Sequence, residues 1–538
     1  MARVVRFRDE VEIIPPSSSS CFPAAACNLL KMAGNKITGA VSHLLHGAAH
    51  CVHSVATFSG NVWWVFKDVI RPSPMSSLAW TASFPFFLYG YDVAIQDSTF
   101  YLRHDLHLSG SELAVYLTCT GRVGYAVGAV AAGVAANYFG RRYVLAAGGV
   151  LYTAGTLVVT FTSGYVESTV GRALACFGVG MGLLVGPIFI AETAPSTTRG
   201  YHGTFPQVLM VVGTITVHVL DLAFLRVPRH LAWRLMLGVS ALPTAYFTYA
   251  VISRRFTDTP SWMAMRGQVR AAEVLMERCG ASGTESYDRG YHLERLARFL
   301  TCHVPDPHAD RFPGRITGFW GDVFHYADDY PRDAFAAAVL YVAQEAMFEQ
   351  MALRLVPTVL TRHTLVSRWS FPIAGLVLAL VRLAATSISM HVAGRSMARR
   401  RGLLLVGLGV SACLLGLLSG TAFVDAHEHL SSEMAFALTS VGLLALEAAV
   451  GVGPGPVPWT YGPEVLPLTV RAPTLGLCLT FKFASGVLLG WTFPQLFFTF
   501  HRAWLVFLGA AAVTSLFFLF CCRFVRMTTC RLLMDESD

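Results

Sequence analysis

Residues 171–200 read GRALACFGVGMGLLVGPIFIAETAPSTTRG, and this stretch decides the fold of the chain. It begins with an arginine inside an apolar helix, continues through small residues and ends in a Glu-x-x-Pro-x-x-x-Arg motif. In that motif Glu192 and Arg199 are seven residues apart, and the same spacing returns at Glu464 and Arg471. Two copies of one motif in an apolar chain predict an internal repeat, which is typical of secondary transporters.

The composition places most of the chain in lipid. Hydrophobic residues make up 54% of the 538 residues and charged residues 14%, with a mean hydropathy of +0.52. A soluble domain carries about 25% charged residues. The net charge of +8 fits arginine-rich cytosolic loops better than a nucleic-acid surface. We therefore expect a lipid bilayer as a partner and no nucleic acid.

Apolar blocks of about 20 residues, the length that spans a bilayer, recur along the chain. We predict twelve membrane-spanning helices from them. Their approximate ranges are 77–97, 112–135, 143–162, 168–191, 203–224, 233–253, 335–361, 369–392, 402–423, 433–457, 473–495 and 503–523. The predicted fold is an all-α membrane protein with two pseudo-symmetric six-helix bundles.

The spans divide the chain into five predicted segments. Residues 1–76 form a largely disordered cytosolic extension, and residues 77–253 form the N-terminal bundle. Residues 254–334 form a cytosolic helical linker domain, residues 335–523 the C-terminal bundle and residues 524–538 a cytosolic tail. Arginine is concentrated in the loops on the side of this linker. The positive-inside rule therefore predicts that both termini are cytosolic.

A set of short motifs follows these spans in order. They are Gly90-Tyr91-Asp92, Gly140-Arg141-Arg142, Gly171-Arg172, Phe205-Pro206-Gln207, Trp233-Arg234, Pro260-Ser261-Trp262, Gly455-Pro456-Val457-Pro458-Trp459 and the two glutamate motifs. In this order and spacing the set resembles the sugar-porter branch of the major facilitator superfamily, and most closely plant polyol and monosaccharide proton symporters. The resemblance implies the major facilitator fold and rocking-type alternating access.

Asp92 and Arg172 are the candidate proton-coupling pair. The resemblance implies that this aspartate takes up the proton and that the arginine is its partner. Burial favours the neutral acid, whereas a guanidinium about 4 Å away favours the carboxylate. Because the two effects oppose each other, a modest movement of Arg172 would switch Asp92 between binding and releasing a proton. The alternative is a fixed salt bridge that does not titrate.

A neutral ligand with many hydroxyl groups needs amide, indole and hydroxyl partners rather than fixed charges. The resemblance assigns substrate contacts to Gln207, Gln344, Gln350 and Trp459. The alternatives are structural: a glutamine that bonds between helices, and a tryptophan that only packs.

Six charged residues at predicted cytosolic helix ends are candidates for gating ion pairs. They are Arg141, Arg142, Glu192, Arg199, Glu464 and Arg471. Since both halves carry the same spacing from glutamate to arginine, ion pairs that close the cytosolic side are favoured over a purely topological role.

Several charged residues lie inside predicted spans, where the pattern of the resembled family is broken. They are Arg122, Glu345, Glu349, Arg354, Glu447 and Lys482. Three interpretations stay open. The charges form buried ion pairs in a cavity that prefers a charged or amino-bearing substrate, or the protein keeps the fold without transport, or the charges face water near the vestibules.

The predicted function is proton-coupled symport of a monosaccharide or polyol into the cytosol. One proton moving down about 100 mV gains roughly 2.3 kcal/mol, enough for roughly fifty-fold accumulation. A passive sugar facilitator and a non-transporting sugar receptor or degenerate paralogue are the alternatives. The plasma membrane is the expected location and the vacuolar membrane the alternative. We expect no enzymatic activity, no cofactor and no metal, because the chain shows no nucleophile–base set and its twelve cysteines lack paired ligand spacing.

Overall fold

The computed structural model describes eleven stretches of the chain, and within them every regular element is helical. The described residues are 72–98, 115–162, 164–195, 198–253, 256–278, 331–348, 370–393, 397–426, 432–466, 470–500 and 503–525. Nearly all of the predicted N-terminal extension and C-terminal tail lie outside these ranges. Most of the predicted linker lies outside them too, and so does Gln350.

The first half of the chain forms helices α1 to α10, and a π-helical turn leads into α2. Their bounds are α1 Pro74–Ser98, the π-helical turn Val115–Thr120, α2 Gly121–Phe139, α3 Arg141–Phe161, α4 Tyr165–Thr193, α5 Arg199–His202, α6 Phe205–Phe224, α7 Arg229–Val239, α8 Ala241–Ile252, α9 Pro260–Met265 and α10 Val269–Arg278.

The second half forms helices α11 to α17 within the described residues. Their bounds are α11 Pro331–Phe348, α12 Ser370–Ala393, α13 Met397–Ala426, α14 Ser432–Val452, α15 Val457–Val465, α16 Arg471–Phe500 and α17 Ala503–Phe524.

Each of the twelve predicted spans overlaps one of these helices. In the part of the chain that the structure describes, nine stretches are long and apolar enough to cross a membrane. The three remaining predicted spans coincide with α1, α2 and α11, which are helical but less apolar. The prediction of an all-helical membrane protein is confirmed.

Helix packing repeats in the two halves. In the first half α4 packs against α2 and α3, α1 against α6, and α3 against α8. In the second half α14 packs against α12 and α13, α11 against α16, and α13 against α17. The halves meet through two equivalent pairs, α2 with α16 and α6 with α12. Because each pair has its counterpart, the bundle is pseudo-symmetric.

The glycines of residues 171–200 explain why α4 is the centre of the first half. A Cβ atom on Gly178 would lie 2.8 Å from the backbone nitrogen of Tyr152 on α3. One on Gly180 would lie 2.8 Å from Cα of Tyr125 on α2. Both distances are shorter than any carbon side chain tolerates, so only glycine lets three helices meet at this closeness.

A single residue joins α2 to α3. Gly140 has a φ of 89°, the left-handed region that favours glycine, and its N–H donates to the carbonyl of Ala136 at 3.2 Å. A residue far along the sequence caps the start of α3: the N–H of Arg142 donates to Asp258 Oδ1 at 2.9 Å. Burial raises the pKa of the Asp258 carboxyl. This turn directs Arg141 into the bundle, where it is fully buried.

Candidate functional site

Asp92 on α1 and Arg172 on α4 form a buried ion pair. Arg172 Nη1 lies 3.0 Å from Asp92 Oδ1, and Arg172 Nη2 donates to Asp92 Oδ2 at 3.1 Å. The guanidinium therefore binds both carboxylate oxygens, the geometry of a strong pair. The two side chains are 4% and 11% exposed. The structure thus brings the two predicted coupling residues together.

Two tyrosines that the sequence analysis did not select surround this pair. Tyr125 Oη on α2 donates to Asp92 Oδ2, which gives this oxygen a second donor beside Arg172. The Tyr116 ring lies under the guanidinium, with Arg172 Cζ 5.4 Å from the ring centroid. A tyrosine in an apolar helix is usually read as packing. No spacing in the sequence distinguishes either tyrosine from a packing residue.

Gln207, Gln344 and Trp459 lie where the two halves meet. Gln344 Nε2 donates to the carbonyl of Gly455 at 2.6 Å. A Cβ atom on Gly455 would lie 3.3 Å from Gln207 Cδ, so both amides border the same glycine. The Trp459 ring packs against the Tyr341 ring, with centroids 5.1 Å apart. The predicted substrate residues that the structure describes therefore lie close together.

Four buried polar atoms in this region have no hydrogen-bond partner among the described residues. They are Gln207 Oε1, Gln207 Nε2, Tyr341 Oη and Trp459 Nε1. Buried polar groups are normally bonded, so a group of unpaired ones indicates a place for a ligand. An amide, a phenol and an indole together both donate and accept, which suits a ligand with hydroxyl groups.

A cluster of opposite charges, the charged triad Arg122, Glu345 and Lys482, joins the halves beside these amides. Arg122 Nε lies 3.2 Å from Glu345 Oε1, and Lys482 Nζ lies 2.9 Å from Glu345 Oε2. All three side chains are buried. Of the three interpretations of the unusual charges, the structure shows the buried ion pairs for these residues. The water-facing interpretation is wrong for them.

The charged triad also forms a hydrogen bond with one of the predicted substrate residues, Gln344. Lys482 Nζ donates to Gln344 Oε1 at 3.3 Å, while the other end of this amide bonds Gly455. Lys482 Nζ further lies 5.6 Å from the centroid of the Trp459 ring. Gln344 is therefore held by protein groups at both ends, whereas Gln207 has its whole amide available.

A second set of charges, the helix-end cluster, lies at the far end of α4. Arg141 Nη2 donates to Glu192 Oε1 at 2.8 Å, and Arg471 Nη1 lies 3.5 Å from the same oxygen. Thr259 Oγ1, which the sequence analysis did not select, donates to Glu192 Oε2 at 2.5 Å. Because Arg471 belongs to the second half, Glu192 connects the two halves.

Glu464 has a partner that the sequence analysis missed. Arg400 Nη1 lies 2.8 Å from each of the two carboxylate oxygens of Glu464. The signal was present in the repeat, because Arg400 stands in the second half where Arg141 stands in the first. Arg400 and Glu464 complete the helix-end cluster.

The two remaining predicted gate residues contact backbone carbonyls. Arg142 donates through Nε to Val251 at 3.0 Å and through Nη2 to Ile252, at the end of α8. Arg199 Nη2 donates to the carbonyl of Ala194 at 3.3 Å. Arg142 thus ties α3 to α8 within the first half, a role that its position in a Gly-Arg-Arg motif does not reveal.

The ion pair of Asp92 and the helix-end cluster lie towards opposite ends of α4. Arg172 and Glu192 are twenty residues apart on one helix, which corresponds to about 30 Å at 1.5 Å per residue. This is about the thickness of the hydrocarbon core. Within the described residues, no group of three or more His, Cys, Asp or Glu side chains is placed to hold a metal.

The sequence matches the family described as sugar (and other) transporter over residues 78–536. Putative polyol transporter 1 of Arabidopsis thaliana is 27% identical over 450 residues, which cover 81% of this chain and 86% of that protein. The arabinose-proton symporter of Escherichia coli strain K12 is 23% identical over 436 residues, covering 80% of this chain and 85% of the symporter.

Solved structures show the same fold. The proton:xylose symporter XylE bound to 6-bromo-6-deoxy-D-glucose gives a TM-score of 0.71 at 18% identity, covering 85% of this chain and 96% of the symporter. The inward open conformation of the xylose transporter XylE from E. coli gives 0.61 at 19% identity, covering 85% and 98%. The prediction of the major facilitator fold is confirmed.

Replacing Glu345 by glutamine tests the charged triad. The variant Glu345→Gln leaves Arg122 and Lys482 buried without their carboxylate, and breaking a buried pair costs about 3–5 kcal/mol. We expect a clearly lower melting temperature of the detergent-solubilised protein. The measurement is the loss of its monodisperse peak in size-exclusion chromatography after heating. Glu433→Gln, at an exposed glutamate of α14, is the matched control. Equal melting temperatures of the two variants would contradict the buried pairing.

Proposed function

Because the chain belongs to the sugar (and other) transporter family, we propose that it couples a proton to the transport of a neutral monosaccharide or polyol by alternating access. The observation that carries the coupling is the buried ion pair in which Arg172 binds both oxygens of Asp92. Polyol transporters of A. thaliana and the arabinose-proton symporter of E. coli are among its relatives. These names support a small polyhydroxylated substrate.

The substrate binds between the halves, at the unpaired polar atoms of Gln207, Tyr341 and Trp459. None of these side chains carries a fixed charge, so they offer hydrogen bonds without preferring an ionised ligand. Gln207 belongs to the first half, whereas Tyr341 and Trp459 belong to the second. A ligand that bonds both sides would draw the halves together around itself.

Protonation of Asp92 changes the substrate site through a movement of α1. A neutral Asp92 holds Arg172 less strongly, because the ion pair becomes an ordinary hydrogen bond. This loosens α1 from α4. Helix α1 also carries Phe86, whose ring packs edge to face against the Trp459 ring with centroids 4.7 Å apart. A shift of α1 therefore moves an aromatic wall of the substrate site, and the two binding events are linked.

The helix-end cluster is the cytosolic gate in this proposal. Its connection from Glu192 to Arg471 closes the bundle on that side, and it must open before the substrate leaves inward. Both termini are cytosolic, and residues 254–334 form the cytosolic linker between the two bundles. The plasma membrane is the proposed location, since uptake driven by protons operates there.

Asp92→Asn tests the coupling. Because the amide cannot bind and release a proton, the proton carried by Asp92 is lost, and uphill accumulation at about 100 mV should fall roughly fifty-fold, the gain of one proton. Exchange of labelled substrate down its gradient should continue. The measurement is the uptake of radiolabelled hexoses, pentoses and polyols by yeast deficient in sugar transport. The pH of the external medium is recorded at the same time. Glu433→Gln is the control.

Two results for the unmodified protein contradict the proposal. A passive facilitator would equilibrate labelled sugar without making the medium more alkaline. A receptor would bind the sugar without any flux.

Gln207→Ala tests the substrate site. Loss of a buried amide that bonds the ligand costs about 1–3 kcal/mol, so the KM should rise by roughly five- to 150-fold while the turnover at saturation changes little. Uptake measured against substrate concentration gives both values. An unchanged KM would place the ligand elsewhere.

Tyr125→Phe tests the proton site. The variant removes one hydrogen bond to the Asp92 carboxylate, and such a bond to a charged group contributes about 1.5–3 kcal/mol. Because the carboxylate then bonds Arg172 without its second donor, the factor by which labelled substrate accumulates against its gradient should fall. Tyr143→Phe, at an exposed tyrosine of α3, is the control. Accumulation equal to that of the control variant would contradict this role.

A further inference from the structure

Glu447 on α14 and Arg382 on α12 form a second buried acid–guanidinium contact, which the proposed function does not use. Arg382 Nη1 lies 3.6 Å from Glu447 Oε2, and the side chains are 10% and 7% exposed. This distance is longer than a hydrogen bond. Both residues lie in stretches that are long and apolar enough to cross a membrane. A charge in such a place costs several kcal/mol unless it is paired.

Among the buried acids in the described ranges, Glu447 has the weakest contacts to hydrogen-bond donors and positive charges. The other four each accept a hydrogen bond of 3.2 Å or less. They are Asp92 from Arg172, Glu192 from Arg141, Asp258 from the N–H of Arg142, and Glu345 from Arg122. Glu447 has the single ion contact of 3.6 Å. The desolvation cost of its charged form is therefore the least offset.

The helices packed against α14 offer little other charge. These are α12 and α13. Besides Arg382, the ionisable residue of α12 is His391, which lies nine residues further along, or about 13 Å at 1.5 Å per residue. Between Arg401 and Asp425, α13 carries Cys413 as its ionisable side chain, and this cysteine is exposed. Arg382 is thus the charged group that decides the state of Glu447.

The contact is not a repeat copy of the ion pair of Asp92. That pair joins α1 to α4, whereas Arg382 and Glu447 join α12 to α14, the packing counterparts of α2 and α4. The guanidinium lies on α4 in the first half, and the acid lies on its counterpart α14 in the second. Glu447 is therefore a separate site that belongs to the second half.

We propose that Glu447 is a second proton-binding site, which takes up a proton while Arg382 stays beyond hydrogen-bond distance and releases it when Arg382 comes closer. The step is a proton transfer between water and a carboxylate oxygen, and no other bond changes. Its part in transport rests on the proposed function, because the second proton is carried with the substrate. The proton binding itself does not depend on transport.

Infrared spectroscopy of the full-length protein in proteoliposomes tests the proton binding. A protonated carboxylic acid has a C=O stretch that a carboxylate lacks. At neutral pH we expect one such band in the wild type that is lost in Glu447→Gln and kept in Glu433→Gln. Because Glu447→Gln leaves Arg382 without its acid, the double variant Glu447→Gln/Arg382→Met serves as a second test without a buried charge. A band that survives in both variants overturns the proposal.

The proton-to-substrate ratio tests the part in transport. Reversal potentials in the same proteoliposomes should give two protons per substrate for the wild type and one for the double variant. Accumulation at about 100 mV should then fall roughly fifty-fold, the gain of one proton. An equal ratio in the two proteins overturns the coupling. If the wild type moves substrate without protons, the proposed symport fails, and the infrared band still decides whether Glu447 binds a proton.

Discussion

A charge inside a bilayer must have a partner, and this constraint organises the whole molecule. The guanidinium of Arg172 meets Asp92, and that of Arg141 meets Glu192. Each contact joins two helices, α1 to α4 in the first pair and α3 to α4 in the second. The ion pairs therefore hold helices in register, while the glycines of α4 let those helices approach.

Two of these charge clusters cross between the halves. The charged triad joins α2 to α11 and α16, and the helix-end cluster joins α4 to α16. The unpaired polar atoms around Gln207 lie near the charged triad, since Lys482 reaches both Gln344 and the Trp459 ring. Electrostatic contacts therefore border the proposed substrate site.

Much of this could be predicted from the sequence, because the physics is local. Apolar blocks of the right length locate the helices. Charges inside them mark functional candidates, and the resemblance to sugar porters singled out Asp92 and Arg172 as partners. The rest depends on which faces meet across long stretches of chain. The contact of Tyr125 with Asp92, and the capture of Gln344 by Lys482, follow from packing that no spacing encodes. Arg400 is an exception, since the internal repeat pointed to it.

The position of Glu192 between two arginines has a consequence for the energetics of motion. Glu192 and Arg141 both belong to the first half, so in the proposed gating motion they would stay in contact at 2.8 Å while the 3.5 Å contact to Arg471 separates. The acid would then keep a partner in both states, which makes opening less costly than breaking a lone buried ion pair.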